Sequence, residues 1–184
     1  MGRPKLLLPW GKTSIIGHLF SQWQALQAEQ IVIVQRPGDQ PLNVELDRLN
    51  FPGTNRIENP DSQRGMFSSI QCAANWGGWK NNLNVWAVIL GDQPHLKPET
   101  LRALVAFHGE HTDAICQPSH GGRSRHPVLL PRPALIELRQ SQAETLKDFL
   151  RQTSCRIMEH PLADAGLEID LDRPEDYERA VKPL

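Results

Sequence analysis

Apolar residues recur at helical spacing through Ile15, Ile16, Leu19, Phe20, Trp23 and Leu26, behind Thr13 or Ser14, either of which can cap a helix running to about Ala28. The continuous apolar run Ile31 to Val34, closed by Arg-Pro-Gly-Asp, reads as a short strand buried on both faces. A weaker helical pattern carries Leu42, Leu46 and Leu49, and Arg56 to Glu58 forms a second short strand ended by the turn Asn59-Pro60-Asp61. A helix is predicted from Gly65 to Trp76, with Met66, Ile70, Ala73 and Ala74 inward. The strongest strand is Val85 to Leu90, apolar throughout and therefore expected mid-sheet, terminated by Gly91-Asp92-Gln93-Pro94. Pro98 then sits in the first turn of a helix, where its missing donor costs nothing, and Leu101, Leu104 and Val105 face the core.

The second half is less regular. Ala114 to Gln117 and Val128 to Leu130 read as strands around the polar loop Ser119 to His126. A helix from Glu144 to Arg151 precedes a strand at Arg156 to Met158, and the apolar segment Glu168 to Leu171 leads into a final helix. Alternating strands and helices of these lengths predict a three-layer α/β fold with a mostly parallel sheet. A length of 184 residues without repeats or low-complexity linkers makes this a single domain, 1–184.

Charge narrows the partners. Twenty basic and twenty-one acidic side chains leave a net charge of -1, so no overall field gathers nucleic acid or an anionic membrane. The longest apolar run is far short of a bilayer span, and the chain reads as soluble and cytoplasmic. Cys72, Cys116 and Cys155 are too widely spaced for a disulfide framework or a thiolate metal site. His108 and His111 lack a third ligand nearby and read as a solvated helix end.

Ligands of open parallel sheets bind beyond the carboxyl ends of the strands, which singles out Asp92. Gly-Asp-Gln-Pro is either a turn or a carboxylate held for a hard cation such as Mg2+, which needs only one or two protein carboxylates when phosphates supply the other oxygens. In the cluster Asp170, Asp172, Glu175 and Asp176, Asp172 is either the cap of the last helix or a metal ligand. Gly65, Ser68 and Ser69 open a helix, where free backbone donors suit an anion or a ribose, although serines there are often only caps. Lys5 is an exposed lysine or a phosphate point charge, and His126 packs locally or lines a pocket.

Gly2-Arg3-Pro4-Lys5-Leu6-Leu7-Leu8-Pro9, Asn59-Pro60-Asp61 with Gly65-Met66-Phe67-Ser68-Ser69, Leu90-Gly91-Asp92-Gln93-Pro94, His126-Pro127-Val128-Leu129 and Asp170-Leu171-Asp172-Arg173-Pro174-Glu175-Asp176 occur in the order found in MobA-like NTP transferases. Over its whole length the chain resembles that family, in particular its molybdenum cofactor cytidylyltransferase branch. The resemblance implies a Rossmann-like fold of the nucleotide-diphospho-sugar transferase type and Mg2+-dependent transfer of a nucleoside monophosphate from CTP or GTP to molybdopterin. It further implies a molybdoenzyme or its chaperone as recipient of the product.

By the same resemblance, Lys5 meets the triphosphate and Asp92, with Asp172, holds magnesium. Gly2, Gly65, Ser68 and Ser69 border the nucleotide, and His126 and Pro127 border the acceptor. Two positions depart from the family pattern, Arg125 where glycine is usual and Arg173 where threonine is usual. The family's first strand and glycine-rich loop are absent before Met1. A gap is therefore expected in the sheet, closed by neighbouring strands, by another chain, or left open. A sugar phosphate or phospholactate-type acceptor, and a non-catalytic nucleotide- or pterin-binding accessory role, are the alternative readings.

Overall fold

A computed structural model of the protein describes residues 4–181, and Gly2 lies outside the described residues. A 3-10 turn at Lys5–Leu7 leads into a tight antiparallel pair, β1 (Pro9–Trp10) and β2 (Thr13–Ser14). Ser14 then caps α1 (Ile15–Ala25), its hydroxyl accepting from the Gly17 amide at 3.2 Å, a contact type worth about 1 kcal/mol. The helix ends short of Ala28 because Gln27 takes a left-handed conformation, φ 59°.

β3 (Ile33–Gln35), α2 (Gln40–Arg48) and β4 (Arg56–Glu58) follow, with β3 and β4 paired in parallel. β3 begins two residues later than the apolar run suggested. α3 (Met66–Asn75), β5 (Val85–Val88) and α4 (Pro98–Glu110) continue the alternation. The larger sheet then adds β6 (Ile115–His120), β7 (Arg123–Ser124), β8 (Val128–Pro131) and β9 (Ile157–Pro161). β8 runs antiparallel between β5 and β6, and β9 pairs in parallel with β6, so β5, β6 and β9 share one direction. Between β8 and β9 lie α5 (Arg132–Gln140) and α6 (Leu146–Gln152), and α7 (Pro174–Val181) closes the described chain. The polar stretch expected as loop contains the β6–β7 hairpin, turned by Gly121 and Gly122 at positive φ.

Alternation along the strands divides the core into two faces. Trp86, Val128, Leu130 and Ile115 pack with α3, α5 and α6 through Phe67, Leu135, Leu138 and Phe149. Ala87, Leu129, Cys116 and Met158 pack on the other side against Leu104 of α4. Each fully buried leucine contributes about 1.5–3 kcal/mol, so Leu101 and Leu104 alone anchor α4 firmly. A third cluster sets Trp10, α1 and α2 around Leu46, and takes in Leu171 just ahead of α7.

Several expectations are overturned. β5 is not mid-sheet: its only strand partner among the described residues is β8, and Val85 is 39% exposed. Its other edge faces a cavity of about 820 Å3, which β3 lines from the opposite sheet. Among the described residues, β3 and β5 pair on one side each and border this cavity on the other. Met66 and Val105 point out of the packed core, 50% and 40% exposed, because both border this cavity; Phe67 takes the inward place on α3. His108 is buried rather than solvated, 7% exposed, in the same cavity wall. Glu168 to Leu171 forms no strand: Ala165–Glu168 is a 3-10 turn, and an extended segment follows. No helix among the described residues is long and apolar enough to cross a membrane.

Candidate active site

Asp92 stands just past the carboxyl end of β5. The 3-10 turn at Lys5–Leu7 packs across this end because Gly91 has no side chain: a Cβ there would come within 2.5 Å of Leu6 Cδ2. This close approach carries the Lys5 ammonium over the strand end. Its Nζ donates to Asp172 Oδ1 at 3.0 Å and lies 3.4 Å from Asp92 Oδ2. Partial burial works against the charge on Lys5, but its hydrogen bonds to Asp172 and Asp92 and their negative charges outweigh that and raise its pKa above the ordinary lysine value. The ammonium is therefore fully charged at neutral pH.

Asp172 reaches this position through a chain of buried contacts. Asp164 accepts from Thr100 Oγ1 at 2.5 Å, from the Gly166 amide at 2.9 Å and from the Lys97 amide at 3.4 Å, tying the start of α4 to the 3-10 turn before Asp170. Burial opposes its ionisation, yet these donors together hold its carboxyl below the usual aspartate range. Beyond the turn, Leu171 is fully buried and leaves its neighbour Asp172 at the surface, with a side chain 72% exposed. Of the two roles open to Asp172, helix cap and cation ligand, its carboxylate takes neither helix amide in the described contacts and pairs with Lys5 instead. Asp176 accepts from the Arg173 amide at 3.1 Å, the reciprocal half of a capping box.

Two neighbours had no role assigned from the sequence, Gln93 and, although named in the carboxylate cluster, Asp170. Gln93 Nε2 donates to Asp170 Oδ1 at 3.3 Å, so the side chain after Asp92 fixes a third carboxylate nearby. The adjacency of Gln93 to Asp92 and of Asp170 to Asp172 was the available signal. His126 completes this end of the sheet, its Nδ1 donating to the Val88 carbonyl at 3.4 Å. Burial pushes its pKa down, against the Val88 bond and the charges of Asp92 and Asp170, so the imidazole is neutral at pH 7. Pro127 is buried beneath the site with Leu90, Gln93 and Leu101 and presents no surface to an acceptor. Arg125, the departure beside His126, is paired with Glu168 at 3.2 Å.

The Gly65–Ser69 segment lies across the cavity from Gly91. Gly65 has φ 91°, a region that favours glycine, and α3 starts directly after it. Ser68 is buried, accepting from Asn59 Nδ2 at 2.9 Å and lying 2.8 and 3.0 Å from the carbonyls of Gly65 and Asp61. Its hydroxyl is thus committed to the turn. Ser69 receives the second Asn59 contact at 3.0 Å and borders the cavity together with Leu90 and Gly91. Lys5, Asp92, His126 and Asp172 are brought together, whereas Gly65 and Ser68 build the turn that carries Met66 and Ser69 into the facing wall.

No group of three histidine, cysteine, aspartate or glutamate side chains is placed to share a cation among the described residues. The arrangement nevertheless fits a hard divalent ion bound with phosphates. Asp92 Oδ1 is buried and has no partner, and the other oxygen of Asp92 converges with Asp172 on one positive charge. Two carboxylates, Asp92 and Asp172, thus face one ammonium. A triphosphate is repelled from such a site unless further positive charge accompanies it.

A family profile described as a MobA-like NTP transferase domain matches residues 1–157. The molybdenum cofactor cytidylyltransferase of Escherichia coli (strain K12) is 24% identical over 179 residues, 96% of this chain and 86% of that protein. Among solved structures, Rv0371c of Mycobacterium tuberculosis H37Rv superposes with a TM-score of 0.76 at 20% identity, covering 100% of this chain and 92% of that one. The manganese complex of the same protein gives 0.73 at 20% identity, with 98% and 93% covered. Molybdopterin-guanine dinucleotide biosynthesis protein A of Archaeoglobus fulgidus gives 0.68 at 18% identity, with 99% and 91% covered.

Proposed function

Because the chain belongs to the MobA-like NTP transferase family, we propose that it transfers CMP or GMP from CTP or GTP to the phosphate of molybdopterin, releasing pyrophosphate. Nucleotidyl transfer comes with the family; the base and the acceptor are the proposal. The observation that carries it is the Lys5 ammonium held between Asp92 and Asp172 at the carboxyl end of β5. In this reading an acceptor phosphate oxygen attacks the α-phosphorus, the bond from that phosphorus to the bridging oxygen breaks, and pyrophosphate departs. Such in-line transfer needs positioning and charge neutralisation more than a protein nucleophile.

Lys5 exchanges its carboxylate partners for phosphate oxygens as the triphosphate enters. Asp92 and Asp172, released from the ammonium, hold the accompanying divalent cation, Mg2+ in this proposal. When bound, that cation supplies charge neutralisation and alignment of the phosphates. Gln93 holds Asp170 back by its hydrogen bond, which keeps a third negative charge from turning into the path of the nucleotide. His126 stays neutral and borders the acceptor without adding charge. Ser69, on the facing wall, borders the nucleotide.

The test is pyrophosphate release from CTP and, separately, GTP with molybdopterin and either magnesium or manganese. Turnover with one nucleotide, abolished in Asp92→Ala, supports the reading. Absence of pyrophosphate with every nucleoside triphosphate and metal overturns it, and turnover only with a sugar phosphate in place of molybdopterin reassigns the acceptor.

A further inference from the structure

We propose that Arg125 binds the phosphate of the acceptor: its guanidinium leaves Glu168 and takes the phosphate monoester of the molecule that receives the nucleotide. The identity of that molecule as an acceptor rests on the transferase reading, whereas the anion site rests on the geometry. Arg125 directly precedes His126, and Glu168 closes the 3-10 turn two residues before Asp170. Their ion pair therefore joins the two segments that bring His126 and Asp170 to the carboxyl end of β5.

The guanidinium is underused where it stands. It carries five N–H donors. Nη2 meets Glu168 Oε1 at 3.2 Å, longer than the roughly 2.7–2.9 Å of a well-formed charge-assisted hydrogen bond. Nε is buried and has no partner. A buried donor left open marks a place where a hydrogen-bonding atom is expected, and a planar fork of donors matches a phosphate in two-point contact. Arg56 provides the contrast. Its Nε is also unpartnered, but its Nη2 is closed by Asp47 and by the Phe51 carbonyl, both at 2.7 Å. Arg56 is a fastened structural arginine, and Arg125 is held by one long contact.

Glu168 is built to let go. Its side chain is 48% exposed, and in the described contacts its carboxylate accepts from Arg125 alone. It lies against the hairpin tip because Gly121 has no Cβ, which would come within 3.0 Å of Oε1. An ion pair so open to water contributes little and is readily exchanged. The Arg125 amide donates to the Pro118 carbonyl at 2.8 Å, so the exchange requires movement of side chains only. Charge supplies the reason for it. A phosphate monoester brings about 1.5–2 negative charges at neutral pH. Lys5 serves the triphosphate, His126 is neutral and Asp170 is acidic, which leaves the neighbour of His126 to balance the acceptor.

The test has two arms. In the first, inorganic phosphate is titrated calorimetrically into the 184-residue chain without nucleotide or metal, so that failure of the transferase reading leaves this arm intact. Arg125→Gln is expected to bind phosphate at least about tenfold more weakly than wild type, and Glu168→Gln about threefold more tightly. Arg125→Lys recovers part of the loss, because it restores the charge but not the fork. In the second arm, at saturating nucleotide, Arg125→Gln raises the KM for molybdopterin about tenfold while kcat and the affinity for CTP or GTP stay within about twofold. Phosphate binding in Arg125→Gln equal to wild type overturns the proposal, as does absence of binding in both wild type and Glu168→Gln. A loss confined to Lys5→Met also overturns it, by placing the anion at the ammonium. If Arg125→Gln instead unfolds earlier in urea and loses phosphate and nucleotide together, the pair is a structural fastening and the proposal falls. The expected phosphate series without turnover of any acceptor would overturn the transferase reading and leave the anion site standing.

Discussion

Replacing Lys5 by methionine removes the one positive charge lying between Asp92 and Asp172 while keeping much of the side chain's bulk. A divalent ion held by those carboxylates sits close to the ammonium position in the wild type. At about 4 Å, charges of one and two repel by about 2 kcal/mol even at the dielectric constant of water, and by more in a half-buried site. Since about 1.4 kcal/mol is a tenfold change, Lys5→Met is expected to bind Mn2+ at least roughly 30-fold more tightly than wild type without nucleotide. The fold itself should change little. Asp172 is largely exposed and Asp92 about one quarter exposed, which limits the lost ion pairs to about 1 kcal/mol or less. The same variant loses the triphosphate contact, so metal affinity and nucleotide affinity move in opposite directions. Titration of the free-ion paramagnetic signal reads the first, and calorimetry with CTP or GTP the second. A Mn2+ affinity within threefold of wild type would show that the two carboxylates do not share a cation at the ammonium's position.

Gly91→Val is expected to displace Leu6 and with it Lys5, lowering triphosphate affinity at least tenfold with about 1–3 kcal/mol of destabilisation; unchanged nucleotide binding would mean that the close approach of Leu6 does not position the lysine. Ser68→Ala should cost about 1–3 kcal/mol in urea unfolding, because Asn59 and the turn carbonyls lose their buried partner, and a neutral result would contradict that role. His126 has its pKa depressed in the folded state, so its contribution to stability is present above the ordinary histidine pKa of 6.5 and lost as pH falls through the folded value. His18 and His108 shift the same way through burial, and His126→Gln should therefore make the acid side of the stability profile shallower without flattening it. An unaltered slope would place His126 in solvent.

Local features were legible where local chemistry decides them. Ser14 as cap, Pro98 in the first turn of α4 and the turn after β4 all act within a few residues. α5 was not among the predicted helices; Pro133 occupies a first-turn position that tolerates it, and Leu135 and Leu138 are buried. β5 misled for a different reason. An unbroken apolar run reports that both faces are covered, and they are, by α3 on one side and α4 on the other; it says nothing of whether both edges are paired. The convergence of Lys5, Asp92 and Asp172 is beyond any spacing rule, since the partners are 87 and 167 positions apart. It could be anticipated only through the order of the motifs. Gln93 was passed over because a glutamine that orients a carboxylate has no composition signature of its own, and without it the cluster residue Asp170 had no role.

The distance along the chain between Lys5 and Asp172 also sets when the site can exist. Tyr177 of α7 donates to the Pro9 carbonyl, and Leu171 packs in the cluster around Trp10, so the beginning and the end of the fold are fastened side by side. During synthesis, a nascent chain acquires Lys5 before Asp92, and the second carboxylate arrives only after every strand of the larger sheet has been translated. A message truncated before Leu171 would therefore yield a protein able to form most of its larger sheet while carrying an ammonium with one acidic partner rather than two. Assembly of the charge trio therefore requires translation through Asp172, and products that stop before it would be marked by its absence.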